Sequence, residues 1–126
     1  MTNVKTNNKA STVTTPRIAF VGAGNMASSI IGGLLASGHN AGAITVADPF
    51  AESRERLAAS TGVKVLADNA QAVAGADIVI LAVKPQVMGD AMQSIADEVS
   101  KAGALVISIA AGITVAAMEA RLGDAV

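Results

Sequence analysis

Residues 17–27 have the sequence RIAFVGAGNMA, in which an apolar run is followed at once by a turn with two glycines. The turn has the form Gly-x-Gly-x-x-Ala and stands between a predicted strand and a predicted helix. Gly22 permits a sharp turn, Gly24 lets a pyrophosphate approach the backbone, and the small Ala27 lets the helix pack closely on the sheet. Unpaired N–H groups at the start of the helix favour an anion there. The motif therefore predicts dinucleotide binding rather than a turn that is merely tightly packed.

Strands and helices alternate along the rest of the chain. Five short apolar runs are separated by longer segments of helical character, which predicts a parallel sheet covered by helices on both faces. The predicted fold class is α/β, a Rossmann-like doubly wound parallel sheet in a three-layer αβα single domain. The predicted strands are Ile18–Val21, Ile44–Ala47, Val63–Leu66, Ile78–Ala82 and Leu105–Ile109.

Capping signals set the predicted helix boundaries. The first two helices are predicted at residues 25–37 and 51–60, with Gly38 stopping the first in a left-handed conformation. Three later residues stand where helices begin, Asn69 and Thr114 as N-caps and Pro85 as a first residue. The apolar face predicted for the first helix consists of Met26, Ile30, Leu34 and Leu35.

The composition limits the size and the class of the protein. The chain has 126 residues, of which 52% are hydrophobic and 15% are charged, enough for one ordinary core. A formal net charge of -1 without a basic run argues against nucleic acid as a partner. The absence of Cys and the single His39 exclude a disulfide framework, a thiolate nucleophile and a His-based metal cluster. No apolar stretch approaches the ~20 residues that span a bilayer, so no membrane partner is expected.

The chain is predicted to consist of a disordered tail at residues 1–15 and an NAD(P)-binding domain at residues 16–126. The tail is rich in Thr and Asn and lacks the apolar region of a secretory signal. The expected location is therefore the cytoplasm. His39 follows the first helix, far along the chain from every predicted contact, and is expected to lie exposed in a loop.

Asp48 ends the second predicted strand, roughly 20 residues after the turn, where the adenosine ribose of a dinucleotide would lie. Its carboxylate would accept hydrogen bonds from the ribose hydroxyls, which favours NADH. NADPH would instead need a cation for its 2'-phosphate, and Arg54 and Arg56 are the candidates. The alternatives are that Asp48 only opens a turn before Pro49, and that both arginines lie on a solvated helix face paired with neighbouring glutamates.

Three blocks of the sequence resemble pyrroline-5-carboxylate reductase in order and spacing: residues 17–27, Ala-Val-Lys-Pro at 82–85 and Ser-Ile-Ala-Ala-Gly-Ile-Thr at 108–114. The resemblance covers Arg17 to about Gly123. It implies an NAD(P)H-dependent oxidoreductase of proline biosynthesis, which passes hydride to the C=N carbon of 1-pyrroline-5-carboxylate and forms L-proline. NADPH is the usual cofactor of the family.

The same resemblance implies a cofactor site along the carboxyl ends of the strands. Asp48 would lie beside the adenosine ribose, and Asn69 would contact the cofactor unless it is simply a helix cap. Lys84 would offer its ammonium to a ribose hydroxyl or to the substrate carboxylate, the alternative being an exposed loop cation. The residues expected at the pyrophosphate are Val21, Gly22, Ala23, Gly24, Asn25 and Met26. Those expected at the nicotinamide end are Ala82, Val83, Lys84, Pro85, Ala110, Ala111 and Gly112.

The family pattern continues past Val126 into a helical domain through which intact members oligomerise and bind the substrate. The chain is therefore expected to be a truncated domain that binds cofactor with little or no turnover alone, because hydride transfer needs an enclosed, water-poor site. The resemblance carries over no catalytic residue. Apolar surface around Val115, Met118 and Leu122 is expected to be uncovered, which favours self-association.

Two other interpretations stay open. Another reductase with the same opening fold, such as a hydroxyacid dehydrogenase or a deazaflavin-dependent NADP reductase, is disfavoured by the second and third blocks. A stand-alone nucleotide-binding regulatory module would change its association with a partner and catalyse nothing. Because dinucleotide sheets host many functions, the fold itself does not decide between these hypotheses.

Overall fold

A computed structural model describes residues 15–109 and Leu122, and a five-stranded parallel sheet forms its centre. The strands lie in the order β3-β2-β1-β4-β5, so the direction of winding reverses at β1, and all four neighbouring pairs are parallel. Sheets of this kind bind ligands beyond the carboxyl ends of the strands, beside the point of reversal. The strands are β1 Ile18–Val21, β2 Ile44–Ala47, β3 Lys64–Leu66, β4 Ile78–Leu81 and β5 Leu105–Ser108.

Helices cover both faces of the sheet, which confirms the predicted doubly wound αβα architecture. Buried residues of α1 and α2 pack on one face, and buried residues of α3 and α4 pack on the other. Two 3-10 turns, Ala41–Ala43 and Pro85–Val87, connect these elements. The helices are α1 Asn25–Ala36, α2 Ala51–Thr61, α3 Asn69–Val73 and α4 Met88–Ala102.

The central strand β1 shows why the apolar runs are continuous. Ile18 and Phe20 lie in the core under α1 and α2, while Ala19 and Val21 lie in the core under α3 and α4. Successive residues of a strand point to opposite faces, so a strand covered on both sides must be apolar throughout. At the edge strand β5 the pattern is broken, because Val106 is buried whereas Leu105 and Ile107 are 50% and 42% exposed.

Two predicted helix starts were wrong. Asp68 caps α3, since its Oδ1 accepts a hydrogen bond of 2.8 Å from the Ala70 N–H, and Asn69 is the first helical residue. Pro85 opens the 3-10 turn, and α4 begins at Met88. The predicted cap Thr114 lies outside the described residues. Gly38 follows α1 at a φ of 98°, as predicted for a left-handed stop.

The apolar face predicted for α1 was only partly right. Ala27 and Ile31 are the fully buried residues of this helix, and Ile30, Leu34 and Leu35 are half-buried beside them. Met26 is 59% exposed, so it does not belong to the buried face, whereas the next residue, Ala27, does.

Two expectations about exposure also change. Leu122, expected on an uncovered surface, is buried in the core on the α4 side of the sheet, whereas Val115 and Met118 lie outside the described residues. His39 is half-buried rather than exposed, and its Nε2 has no hydrogen-bond partner among the described residues.

The predicted tail lies outside the described residues except for Thr15. Within the described part of the chain, no helix combines the length and the apolar character needed to cross a membrane.

Candidate functional site

A cleft of about 640 Å³ lies beyond the carboxyl ends of β1, β2 and β4. The glycine turn after β1 forms its floor, the turn after β2 forms one side, and the start of α4 forms the other. Eight residues predicted from the sequence line this cleft: Gly22, Ala23, Gly24, Asp48, Asn69, Ala82, Val83 and Lys84.

The two glycines of the turn differ in their backbone conformation and in the space around them. Gly22 has a φ of +108°, and its N–H donates a hydrogen bond of 2.7 Å to the Ala47 carbonyl at the end of β2. A Cβ at Gly22 would lie 2.7 Å from the carbonyl oxygen of Ala82, at the end of β4. A Cβ at Gly24 would meet no heavy atom of the described residues within 4 Å. Gly22 is thus required by the fold, whereas Gly24 leaves open space in the cleft.

The start of α1 presents free donors beside Gly24. Gly24 is the N-cap, no side chain in the described part of the protein caps the helix, and its first turn contains no acidic residue. Ser28 makes the first helical bond, at 3.0 Å to the Gly24 carbonyl, so the N–H groups of residues 25–27 have no partner within the helix. These donors and the positive end of the helix dipole suit an anion.

Asp48 joins the glycine turn to the turn after β2. Its Oδ2 accepts a hydrogen bond of 2.9 Å from the Ala23 N–H, and its Oδ1 accepts one of 2.9 Å from the Phe50 N–H. Asp48 is 9% exposed, and among the described residues it is the one polar or charged residue that is buried. The interpretation of Asp48 as a turn residue is confirmed, and its contact with a ribose stays a prediction.

Arg54 reaches back from α2 to the same turn. Its Nη1 donates a hydrogen bond of 2.9 Å to the backbone carbonyl of Asp48, and the residue is half-buried. The alternative of pairing with a neighbouring glutamate was wrong for Arg54, because the ion pair recorded among the described residues is Lys101–Glu98, at 3.8 Å. Arg56 is exposed. One guanidinium is therefore held beside the cleft, although Arg54 does not line it.

The opposite wall combines α3, the end of β4 and α4. Asn69 donates from Nδ2 to Ser94 Oγ at 3.1 Å, and Ser94 Oγ donates to the Ala91 carbonyl at 2.6 Å. Lys84 is exposed and precedes the 3-10 turn. In residues 15–109 and Leu122 no hydrogen bond or ion pair of its ammonium is recorded, so its contact with a ligand stays a prediction.

The structure does not bring every predicted residue into the lining. Val21 is buried in β1, whereas Asn25, Met26 and Pro85 are exposed outside the cleft. Ala110, Ala111 and Gly112 lie outside the described residues.

Sequence reasoning missed seven of the lining residues. Those on α4 and just before it, Val87, Ala91 and Ser94, are spaced by four and three residues, so they share one helical face. That spacing was the signal available in the sequence. The others are Ala47, Pro49, Phe50 and Asp90, and Phe50 is 69% exposed.

Comparison with known proteins places these features in a family. The family described as "NADP oxidoreductase coenzyme F420-dependent" matches residues 17–112. The pyrroline-5-carboxylate reductase of Pseudomonas aeruginosa is 51% identical over 112 residues, covering 89% of this chain and 41% of that protein. The enzyme of the same name from Vibrio alginolyticus is 42% identical over 103 residues, covering 82% of this chain and 38% of that protein.

Among solved structures, a pyrroline-5-carboxylate reductase from Coxiella burnetii superposes with a TM-score of 0.84 at 36% identity. The superposition covers 88% of this chain and 41% of that one. The chain therefore spans about two fifths of the length of the relatives it matches. The resemblance found in the three sequence blocks is confirmed.

Proposed function

The chain belongs to the family of NADP oxidoreductases described as coenzyme F420-dependent, and on that premise we propose that it forms the dinucleotide-binding part of a pyrroline-5-carboxylate reductase. The proposed reaction is hydride transfer from NADPH or NADH to the C=N carbon of 1-pyrroline-5-carboxylate, with a proton from water taken up by the imine nitrogen, giving L-proline and NADP+ or NAD+. The observation that carries the proposal is the open space at Gly24, beside the unpaired N–H groups at the start of α1. The identity to reductases of that name supports the choice of substrate.

The lining of the cleft suits the successive parts of a dinucleotide. The pyrophosphate would lie against Gly24 and the N-terminus of α1, where backbone N–H groups compensate its charge. The exposed ring of Phe50 offers an apolar surface to the adenine. The small Ala82 and Val83 at the end of β4 leave room for the nicotinamide, which supplies the hydride when bound. We propose Ala110, Ala111 and Gly112 as further contacts at that end.

Side-by-side titration of the chain with NADPH and NADH tests the cofactor site. The variant Gly24→Val should bind both cofactors at least about tenfold more weakly, because its side chain fills the space of the pyrophosphate. Gly24 has a φ of -78° and a ψ of -169°, which valine also adopts, so the variant should fold normally. Unchanged affinity of this variant would show that phosphates do not bind at the turn.

We propose that NADPH is preferred. The Asp48 carboxylate already accepts two backbone hydrogen bonds, and Arg54 holds a positive charge beside the same turn, where a 2'-phosphate would lie. Arg54→Gln should therefore weaken NADPH binding about tenfold and leave NADH binding unchanged.

Arg56→Gln is the matched control for this prediction, because Arg56 is on the same helix and exposed. It removes the same charge and should change neither affinity. If Arg54→Gln and Arg56→Gln lost the same NADPH affinity, the loss would come from the lower positive charge of the helix and not from a contact of Arg54. Equal loss of both cofactors in Arg54→Gln would assign that residue to the support of the turn.

A graft tests the proposed reaction. Residues 17–109 would replace the matching segment of the Pseudomonas aeruginosa reductase, to which the chain is 51% identical. We expect the hybrid to oxidise NADPH when 1-pyrroline-5-carboxylate is added, and not with a 2-oxoacid or with coenzyme F420. A folded hybrid that binds NADPH but prefers either of those substrates would favour the other reductase classes. If the protein binds the cofactor, changes its state of association as measured by its mass in solution, and turns over no substrate, the result would favour the regulatory module.

A further inference from the structure

We propose that Ser94 is a positioning residue that orients the amide of Asn69, so that the Asn69 carbonyl oxygen accepts a hydrogen bond from a ribose hydroxyl of the cofactor. Both residues line the cleft, Asn69 at the start of α3 and Ser94 in the middle of α4. The inference rests on the proposed dinucleotide binding, and it adds a residue that the three sequence blocks do not contain.

The position of the Ser94 hydroxyl proton decides which atom of the Asn69 amide faces Ser94. Ser94 Oγ lies 2.6 Å from the Ala91 carbonyl oxygen, which can only accept a hydrogen bond. The hydroxyl has one proton, and this contact uses it. Toward Asn69, at 3.1 Å, Ser94 can therefore only accept, so the amide atom facing it must be the donor Nδ2. The hydrogen-bond chain thus fixes the orientation of the Asn69 amide.

The backbone of the described residues makes no use of this amide. Asp68 provides the cap of α3, through its hydrogen bond of 2.8 Å with the Ala70 N–H, although an asparagine can do the same. Within residues 15–109 and Leu122, no group is recorded as donating to Asn69 Oδ1. The oxygen is left as an acceptor in the wall of the cleft.

The chemistry of a dinucleotide decides which of its groups this oxygen can bind. A carbonyl oxygen attracts hydrogen-bond donors and repels phosphate oxygens, which are ionised acceptors at neutral pH. In a bound dinucleotide the two riboses carry hydroxyl donors on either side of the pyrophosphate. The fixed acceptor therefore selects a sugar, and the N–H groups at the start of α1 select the phosphates.

Four variants test this arrangement through the dissociation constant for NADPH. Ser94→Ala should weaken binding roughly fivefold, the effect of one hydrogen bond, because the amide is then free to turn. Ser94→Thr should restore the affinity, since a helical threonine hydroxyl can bond the same kind of carbonyl. Ser100→Ala, an exposed position on the same helix, should bind like the original chain. Asn69→Ala should weaken binding at least as much as Ser94→Ala.

The double variant separates positioning from a structural role. In the Asn69→Ala background, Ser94→Ala should cause no additional loss, because Ser94 acts only through that amide. Melting temperatures should match throughout. Normal binding by Ser94→Ala, additive losses in the double variant, or failure of Ser94→Thr to restore the affinity would overturn the inference while leaving the proposed function in place. Failure of the original chain to bind NADPH or NADH would overturn both.

Discussion

Replacing Gly22 by alanine should lower the free energy of unfolding by at least about 3 kcal/mol, the largest loss expected from any substitution in the cleft. The residue has a φ of +108°, which strains any L side chain. The added Cβ would also lie 2.7 Å and 2.9 Å from the carbonyl oxygen and carbon of Ala82. These are backbone atoms at the end of β4, so the contact cannot be relieved by rotation of a side chain. Urea unfolding measures the loss.

Two other glycines separate the causes of this loss. Gly62→Ala imposes a φ of +78° in open space, so it should cost only the strain, about 1 kcal/mol. Gly24→Ala has neither a positive φ nor a neighbour within 4 Å among residues 15–109 and Leu122, and it should change stability by no more than about 0.5 kcal/mol. If Gly22→Ala lowered the free energy of unfolding no more than Gly62→Ala does, the close approach of the chain after β1 to the chain after β4 would not explain why the turn begins with a glycine.

Asp48→Asn should lower stability by about 2 to 3 kcal/mol and weaken the binding of NADPH and NADH alike. The carboxylate accepts one hydrogen bond from Ala23 and one from Phe50, through different oxygens. An amide offers one oxygen, so one of the two N–H groups would face an NH2 group in a buried site. The glycine turn would then lose its link to β2. Unfolding and titration of the same preparation measure both effects.

Asp77→Asn provides the matched control for Asp48. Asp77 is exposed, and its Oδ2 accepts a single backbone hydrogen bond of 2.8 Å, from the Arg17 N–H. Losing the same charge there should change stability by less than about 1 kcal/mol and leave both affinities intact. An Asp48→Asn variant of normal stability, with a changed preference between NADH and NADPH, would show that the carboxylate selects the ribose and does not link the turns.

The fold was predictable because its strongest signals are local. A strand such as β1, buried on both faces, has to be apolar throughout, and a Gly-x-Gly-x-x-Ala turn marks where it enters a helix. The predicted strands differ from those observed by at most one residue at an end. The cap of α3 was misplaced by one position because Asp68 and Asn69 are adjacent and both suit an N-cap.

Much of the candidate site depends on contacts between distant segments. The hydrogen bond between Asp48 and Ala23 spans 25 residues, and that between Asn69 and Ser94 also spans 25. The motif spacing located Asp48, but as a contact of the ribose and not as the acceptor of the Ala23 N–H. The spacing of Asn69 and Ser94 belongs to no motif, because it depends on the lengths of the elements between them. Arg54 and Arg56 were both candidate cations in the sequence, and the structure separates them, because Arg54 donates to the Asp48 carbonyl whereas Arg56 is exposed.

The two hydrogen bonds of Asp48 also decide how this protein can be engineered. Exchanging the acidic residue at the end of the second strand is the obvious way to redesign cofactor preference, but here the exchange would also remove a hydrogen bond that holds the glycine turn. A library that varies Phe50 and Arg54 while keeping Asp48 changes the end of the cleft that we propose for the adenosine and leaves both Asp48 hydrogen bonds in place. Cofactor preference and foldability can then be selected separately.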